Sequence, residues 1–331
     1  MAKNRSEAAQ PAAPPTARPA VVLDPMSEST LARFTRRARR HWYWARTQGL
    51  GRLIEEDELK PVARATFAIQ RRRWQWGHRI LPGTAVPVFL VGLQRSGTNM
   101  LARGLAASLE FELRNENNRR AFSRFRLRPD DVVRGIVGAS RSRFVLFKPL
   151  CDSHRTGELL ARIDSGAPGR AIWMCRSVDG RLRSAVAKFG DVNRQVLSAI
   201  AAGRGADTWQ AQGISDDNMN LLRQFDYDTM SPESAAALFW YIRHSLFFDL
   251  GLDTRPDVTL VSWDLLVGEP ERYMRPLCRF LDLEYQAALV VHISPRDQPG
   301  VRQVEIDGRI RTRCDLLEER LISEAKLAST R

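Results

Sequence analysis

The sequence has 331 residues, 44% of them hydrophobic and 27% charged, a composition ordinary for a globular protein and enough chain for one large domain with extensions or two small ones. A formal net charge of +13 is not ordinary and implies an anionic partner: nucleic acid, a membrane surface, or a ligand bearing phosphate or sulfate. Four cysteines, Cys151, Cys175, Cys278 and Cys314, show no C-x-x-C spacing and no nearby His completes a zinc pattern, which argues against a disulfide framework or a zinc site and favours a reducing compartment.

The chain opens on an Ala- and Pro-rich stretch, residues 1–25, whose composition predicts a disordered tail. It lacks the apolar block of a signal peptide, and no apolar run later in the sequence reaches membrane-spanning length, so a cytoplasmic protein is expected. Residues 26–82 form a basic aromatic block. From Ser27 to Pro82 there are thirteen Lys or Arg against five Asp or Glu, together with Trp42, Tyr43, Trp44, Trp74 and Trp76. Two helices are expected there, one capped by Ser27 and one from about Glu55 to His78. The block is a candidate peripheral membrane contact, weighed against a helical extension that packs on the core with its Arg side chains in water.

From residue 83 to 295 short apolar runs alternate with helical stretches. VPVFLV (86–91), RFVLFK (143–148), RAIWMC (170–175) and DVTLVSW (257–263) read as buried strands, and the intervening helices imply βαβ units and a parallel sheet. The fold class is therefore α/β, a P-loop-like parallel sheet flanked by helices. Residues 231–250 predict a helix with Ser231 as cap, Pro232 at its first position and Gly251 just beyond its end. Residues 189–230, rich in Gly, Asn and Asp, read as including a mobile loop. Residues 296–331 form a C-terminal segment ending in a helix.

The most informative stretch is Gly92-Leu93-Gln94-Arg95-Ser96-Gly97-Thr98-Asn99, lying between a strand and a helix. Backbone N–H groups of such a turn, together with the positive end of the helix, make an anion site. Gly92 and Gly97 keep the spacing of a Walker A loop, but Thr98 stands where that motif requires Lys, and the cation sits at Arg95 instead. A triphosphate would lose a contact; a 5′-phosphate joined to a sulfate would not. The segment RSGTN resembles the 5′-phosphosulfate loop of sulfotransferases that use 3′-phosphoadenosine 5′-phosphosulfate (PAPS). The resemblance assigns Arg95, Ser96, Gly97, Thr98 and Asn99 to that group.

A second motif, AIWMCRSVDGRLRSAVAKF, resembles the same family's 3′-phosphate motif, a strand-end Arg followed eight residues later by a Ser. Here these are Arg176 and Ser184, a guanidinium fork and a hydroxyl donor. LVSWDLLVGEPERYMRPLCRFLDL (260–283) resembles the family's late strand and helix. The resemblance spans roughly residues 86–290. It implies PAPS as sulfuryl donor, no metal, and no nucleic-acid partner. Met100 stands where many members carry a Trp that stacks on adenine.

The same resemblance suggests where the chemistry sits. Arg95 and Lys148 are candidates for stabilising the leaving group, since charge grows on a phosphate oxygen during transfer. The acceptor hydroxyl needs a base. Leu150 stands where cytosolic members have a His, whereas Glu116, 21 residues beyond Arg95, fits the placement of the Glu used by glycan- and tyrosine-modifying members. His154 is the competing base. The ordinary alternatives are a solvated Glu116 paired with Arg119 or Arg120 and a His154 that merely packs. An acceptor on a glycan or glycolipid is slightly preferred. The rival functions are a P-loop nucleotide kinase or triphosphatase, and a non-enzymatic nucleic-acid or membrane binder using the basic block.

Overall fold

The computed structural model describes residues 61–163, 167–294 and 303–330. The expectations for the tail at 1–25, for the first basic helix and for Trp42, Tyr43 and Trp44 fall outside them. Five strands, β1 (Val86–Gly92), β2 (Phe111–Arg114), β5 (Phe144–Phe147), β6 (Arg170–Cys175) and β7 (Val258–Ser262), form one sheet of order β2-β5-β1-β6-β7, every pair parallel. The α/β class and four of the five strands follow the apolar runs of the sequence. β2 was not foreseen, because FELR is short, half-charged and lies at the sheet edge.

The strands are apolar on both faces, as a parallel sheet covered on both sides requires. Phe89, Val91, Phe147, Ala171 and Trp173 face one core cluster, while Val88, Leu90, Leu146, Ile172 and Met174 face the other. Helices α5 (Val178–Phe189), α6 (Val192–Ala201), α8 (Pro232–Asp249) and α11 (Gly308–Ala328) contribute to the first face; α2 (Thr98–Ala106) and α10 (Pro270–Leu281) contribute to the second. Full burial of each large apolar side chain contributes roughly 1.5–3 kcal/mol, so these two layers supply most of the drive to fold. The connection leaving β1 runs to the second face and the one leaving β6 runs to the first. Their carboxyl ends therefore flank a crevice at a switch in topology, where α/β sheets bind ligands.

The helix expected at 231–250 spans Pro232–Asp249. The Ser231 hydroxyl accepts from the Ser234 N–H, Pro232 occupies the first turn, and Gly251 adopts φ +63°. Residues 189–230 hold more than a loop: two helices, α6 and α7 (Asp216–Leu222), with Gly203, Gly205 and Gly213 in the turns between them and Gly190 ending α5. Val196, Leu197, Ile200, Leu221 and Leu222 are buried, so apolar spacing outweighed the polar composition. Helix α1 (Pro61–Gly77) lies within the span predicted from Glu55 to His78, and its Gln75 side chain donates to the Ser142 hydroxyl at 3.2 Å.

Candidate active site

β1 ends at Gly92, whose φ is +116°. A Cβ there would stand 2.4 Å from the Met174 carbonyl oxygen on β6, so only glycine lets the two strand ends approach this closely. The loop then passes through Arg95 at φ +72°, a left-handed conformation that is strained for a side chain of this kind and that clusters at functional sites. Gly97, at φ +87°, caps α2 with no side-chain acceptor on the first-turn N–H groups. The Ser96 hydroxyl is fully buried and has no hydrogen-bond partner. A buried hydroxyl without a partner, beside a helix N-terminus in a loop of left-handed residues, fits an oxyanion of the kind a 5′-phosphosulfate would bring.

The loop is held from behind. Arg181 of α5 is 1% exposed, and donates to the Ala236 carbonyl at 3.0 Å and to the Gln94 carbonyl at 3.5 Å. Burial, with Arg95 nearby, pulls its pKa down to about 9. Arg181, a residue of the second motif, is thus a buried strut of the loop. On the other side Ser153 locks the turn Leu150–Arg155 to the end of β1: its hydroxyl accepts from the Gly92 N–H at 3.0 Å and donates to the Gly92 carbonyl at 2.9 Å.

The two motifs meet. Arg95 Nε donates to Ser184 Oγ at 2.8 Å, although 89 residues separate them. Ser184 projects from the middle of α5. Arg176 follows directly on β6, and its guanidinium lies 3.9 Å from the ring centre of Trp263, the first residue of α9 (Trp263–Gly268). The carbonyl of Arg176 accepts from the Trp240 indole at 3.0 Å. Trp263 also abuts Gly97: a Cβ on Gly97 would sit 1.9 Å from Trp263 Cδ1. One indole therefore touches both the glycine loop after β1 and the strand-end Arg. From sequence Trp263 belongs to the segment that resembles the family's late strand and helix; its signal is a lone Trp at a strand end. The N-terminus of α5 is itself filled, since Asp264 accepts from Ser177 N and Oγ at 2.6 and 2.8 Å, and Glu318 accepts from Val178 N at 2.7 Å.

A second cluster stands at the ends of β5 and β2. Lys148 is 5% exposed and donates from Nζ to the Asn99 side-chain oxygen at 2.5 Å. The same Nζ lies 3.2 Å from Glu116 Oε2. Glu116 thus pairs with Lys148 rather than with Arg119 or Arg120. Burial raises the pKa of the Glu116 carboxyl, and the Lys148 charge and hydrogen bond pull against that rise. A carboxylate made more basic and held against a lysine suits proton acceptance.

His154 lies in the same turn as Ser153. Gly213 packs on it, Nδ1 is buried without a partner, and burial together with Arg243, Arg126 and Arg155 lowers its pKa to about 3. The Met100 carbonyl oxygen accepts from His292 Nε2 at 2.9 Å. The four cysteines are free and buried. Among the described residues no group of His, Cys, Asp and Glu could hold a metal ion.

No family model matches the sequence, and no curated protein does either. Among solved structures, the chain is similar to the sulfotransferase domain from the Synechococcus PCC 7002 olefin synthase, at 12% identity and a TM-score of 0.42, over 72% of this chain and 95% of that one. It is also similar to the sulfotransferase domain from the curacin biosynthetic pathway, at 13% identity and a TM-score of 0.44, over 72% of this chain and 98% of that one.

Proposed function

We propose that this protein is a PAPS-dependent sulfotransferase that moves a sulfuryl group to an acceptor hydroxyl by in-line displacement. The observation that carries this is the 2.8 Å hydrogen bond from Arg95 to Ser184, which joins two anion-binding devices at the ends of neighbouring strands. A donor with two separate anionic groups, one on each side of a ribose, matches two such devices. A triphosphate does not, because Thr98 stands where its lysine would be.

Arg95, Ser96, Gly97, Thr98 and Asn99 hold the 5′ group in this account, and Arg176 with Ser184 holds the 3′-phosphate. When bound, the donor supplies an activated sulfuryl group. Arg95 and Lys148 place positive charge in advance where the leaving phosphate gains negative charge. Lys148 engages Glu116 Oε2, and Oε1 takes the proton of the acceptor hydroxyl. His154, neutral and partnerless at Nδ1, is the alternative base. A glycan or glycolipid acceptor remains the preferred class. The cytoplasmic setting, and membrane contact through residues 27–82, belong to the same proposal; no described helix is long and apolar enough to cross a membrane.

Isothermal titration with 3′,5′-bisphosphoadenosine and with ATP, each with and without Mg²⁺, tests the donor. Metal-independent binding of the bisphosphate in preference to ATP is expected. Mg²⁺-dependent ATP binding with no affinity for the bisphosphate would refute the proposal and favour a kinase or triphosphatase.

A further inference from the structure

Directly beyond Glu116 the chain makes a structure that the donor site does not use. Residues 115–129 read NENNRRAFSRFRLRP, with five arginines and Glu116 as the lone acid. Asn118 turns the chain here: its side-chain oxygen accepts from Arg120 N at 3.1 Å and Ala121 N at 3.2 Å. Two short strands, β3 (Phe122–Ser123) and β4 (Arg126–Leu127), then pair as a hairpin. Both residues of its turn, Arg124 at φ +50° and Phe125 at φ +70°, are left-handed. Glycine or asparagine is the usual occupant of such positions, so a consecutive Arg and Phe are held there at a conformational cost. The outcome is a tip that presents Arg124 and a Phe125 ring 40% exposed.

The hairpin is fixed to the catalytic region rather than free to swing. Asp152, 1% exposed in its side chain, accepts from Arg126 Nε at 2.6 Å and from Leu127 N at 2.8 Å. Asp152 belongs to the turn that Ser153 locks to Gly92 at the start of the phosphosulfate loop. Arg128 Nε donates to the Arg119 carbonyl at 3.0 Å, closing the base of the hairpin. Arg119, Arg120 and Arg124 are exposed, and none of them forms an ion pair among the described residues. Three outward cations and an aromatic ring are thus held rigidly, three to nine residues beyond the proposed base.

We infer that this hairpin is the acceptor-recognition element and that it selects an anionic acceptor, a sugar hydroxyl flanked by carboxylate or phosphate groups. The inference rests on the sulfotransferase proposal for its link to catalysis. Exposed guanidinium groups with no protein carboxylate gain most from an anion that brings its own. The Phe125 ring supplies a flat apolar surface for a sugar face, and the left-handed turn fixes ring and Arg124 before the acceptor arrives.

The test measures binding of tetragalacturonate, glucose 6-phosphate and neutral maltotetraose to the full chain saturated with 3′,5′-bisphosphoadenosine, and to the chain without nucleotide. The variant is Arg119→Gln/Arg120→Gln/Arg124→Asn, asparagine being chosen because it tolerates the left-handed turn. At least one anion should bind the native chain, maltotetraose should not, and the variant should lose about tenfold or more in anion affinity while keeping its affinity for the bisphosphate. Preference for the uronate or for the phosphate identifies the flanking group. Arg72→Gln/Arg73→Gln on α1, outside the hairpin, should change nothing. Equal anion binding by the hairpin variant, an equal loss in the α1 variant, or no anion binding by the native chain overturns the inference. Failure of the bisphosphate to bind, with hairpin-dependent anion binding intact, counts against the donor proposal alone.

Discussion

Gly97→Ala is the substitution most sharply constrained by the structure. Gly97 adopts φ +87°, and a left-handed backbone costs a residue with a Cβ roughly 1–2 kcal/mol. The new methyl would also lie 1.9 Å from Trp263 Cδ1, an overlap that cannot persist. Trp263 is a ring anchored beside Arg176 at 3.9 Å, not the free end of a flexible side chain, so either the loop or the indole must move. Overpacking of this kind costs about 1–3 kcal/mol. Together the two effects come to about 2–5 kcal/mol, roughly 30-fold to several thousand-fold if all of it falls on the binding-competent loop. Titration with 3′,5′-bisphosphoadenosine reads the displacement of the loop, and thermal unfolding reads the backbone strain. The expected result is a loss in affinity of at least 30-fold with a drop in Tm of about 5 °C or more. Affinity within threefold of the native protein and an unchanged Tm would refute both the left-handed loop and its contact with Trp263.

Glu116→Gln should abolish sulfuryl transfer while leaving bisphosphate affinity within about threefold, as read by single-turnover assay and titration; normal turnover in this variant with a dead His154→Ala would transfer the base to His154. Arg176→Ala should weaken 3′,5′-bisphosphoadenosine far more than adenosine 5′-monophosphate, by on the order of 100-fold against little change, and equal losses would remove Arg176 from the 3′ site. His244, fully buried on α8, accepts from the Trp173 indole at 3.3 Å, and burial with Arg181 and Arg243 lowers its pKa to about 3. Its unfolded form takes up a proton first as pH falls below about 6.5, so neutral His244 costs the folded state about 2 kcal/mol by pH 5. Denaturant unfolding of His244→Asn should therefore lose less stability between pH 7.5 and 5 than the native chain does; identical pH profiles would show that His244 is not held neutral. The raised carboxyls of Glu116 and Glu318 act in the opposite sense, adding stability as pH falls, which is why the comparison is made between variant and native chain.

Much of this architecture was legible in the sequence, because its signals are local. Four apolar runs became four strands, three of them interior to the sheet, and the Ser-Pro start and Gly end of α8 stand where the capping rules put them. The glycine spacing of the loop also carries a local signal, since Gly92 and Gly97 are needed for their own backbone angles. What was not legible depends on contacts between distant segments. The bond from Arg95 to Ser184 spans 89 residues, and the wedge of Trp263 between Gly97 and Arg176 joins three elements. Arg181 reads as a solvated helix cation until the α8 carbonyl of Ala236 is seen to receive it. The polar composition of residues 189–230 concealed two helices because two Asn, Asn193 and Asn218, sit among their buried positions. Glu116 and His154 could not be ranked by spacing alone; the pairing of Glu116 with Lys148 is a tertiary contact.

The central claim is sulfuryl transfer from a 3′-phosphorylated donor, and its most direct measurement uses PAPS labelled with ³⁵S. The native protein is incubated with the labelled donor and with anionic glycans and glycolipids as acceptors, without metal, and both products are followed. The account predicts that label appears on an acceptor in step with release of 3′,5′-bisphosphoadenosine, and that Glu116→Gln stops both. Donor left intact in the presence of these acceptors, together with Mg²⁺-dependent turnover of ATP, would contradict it.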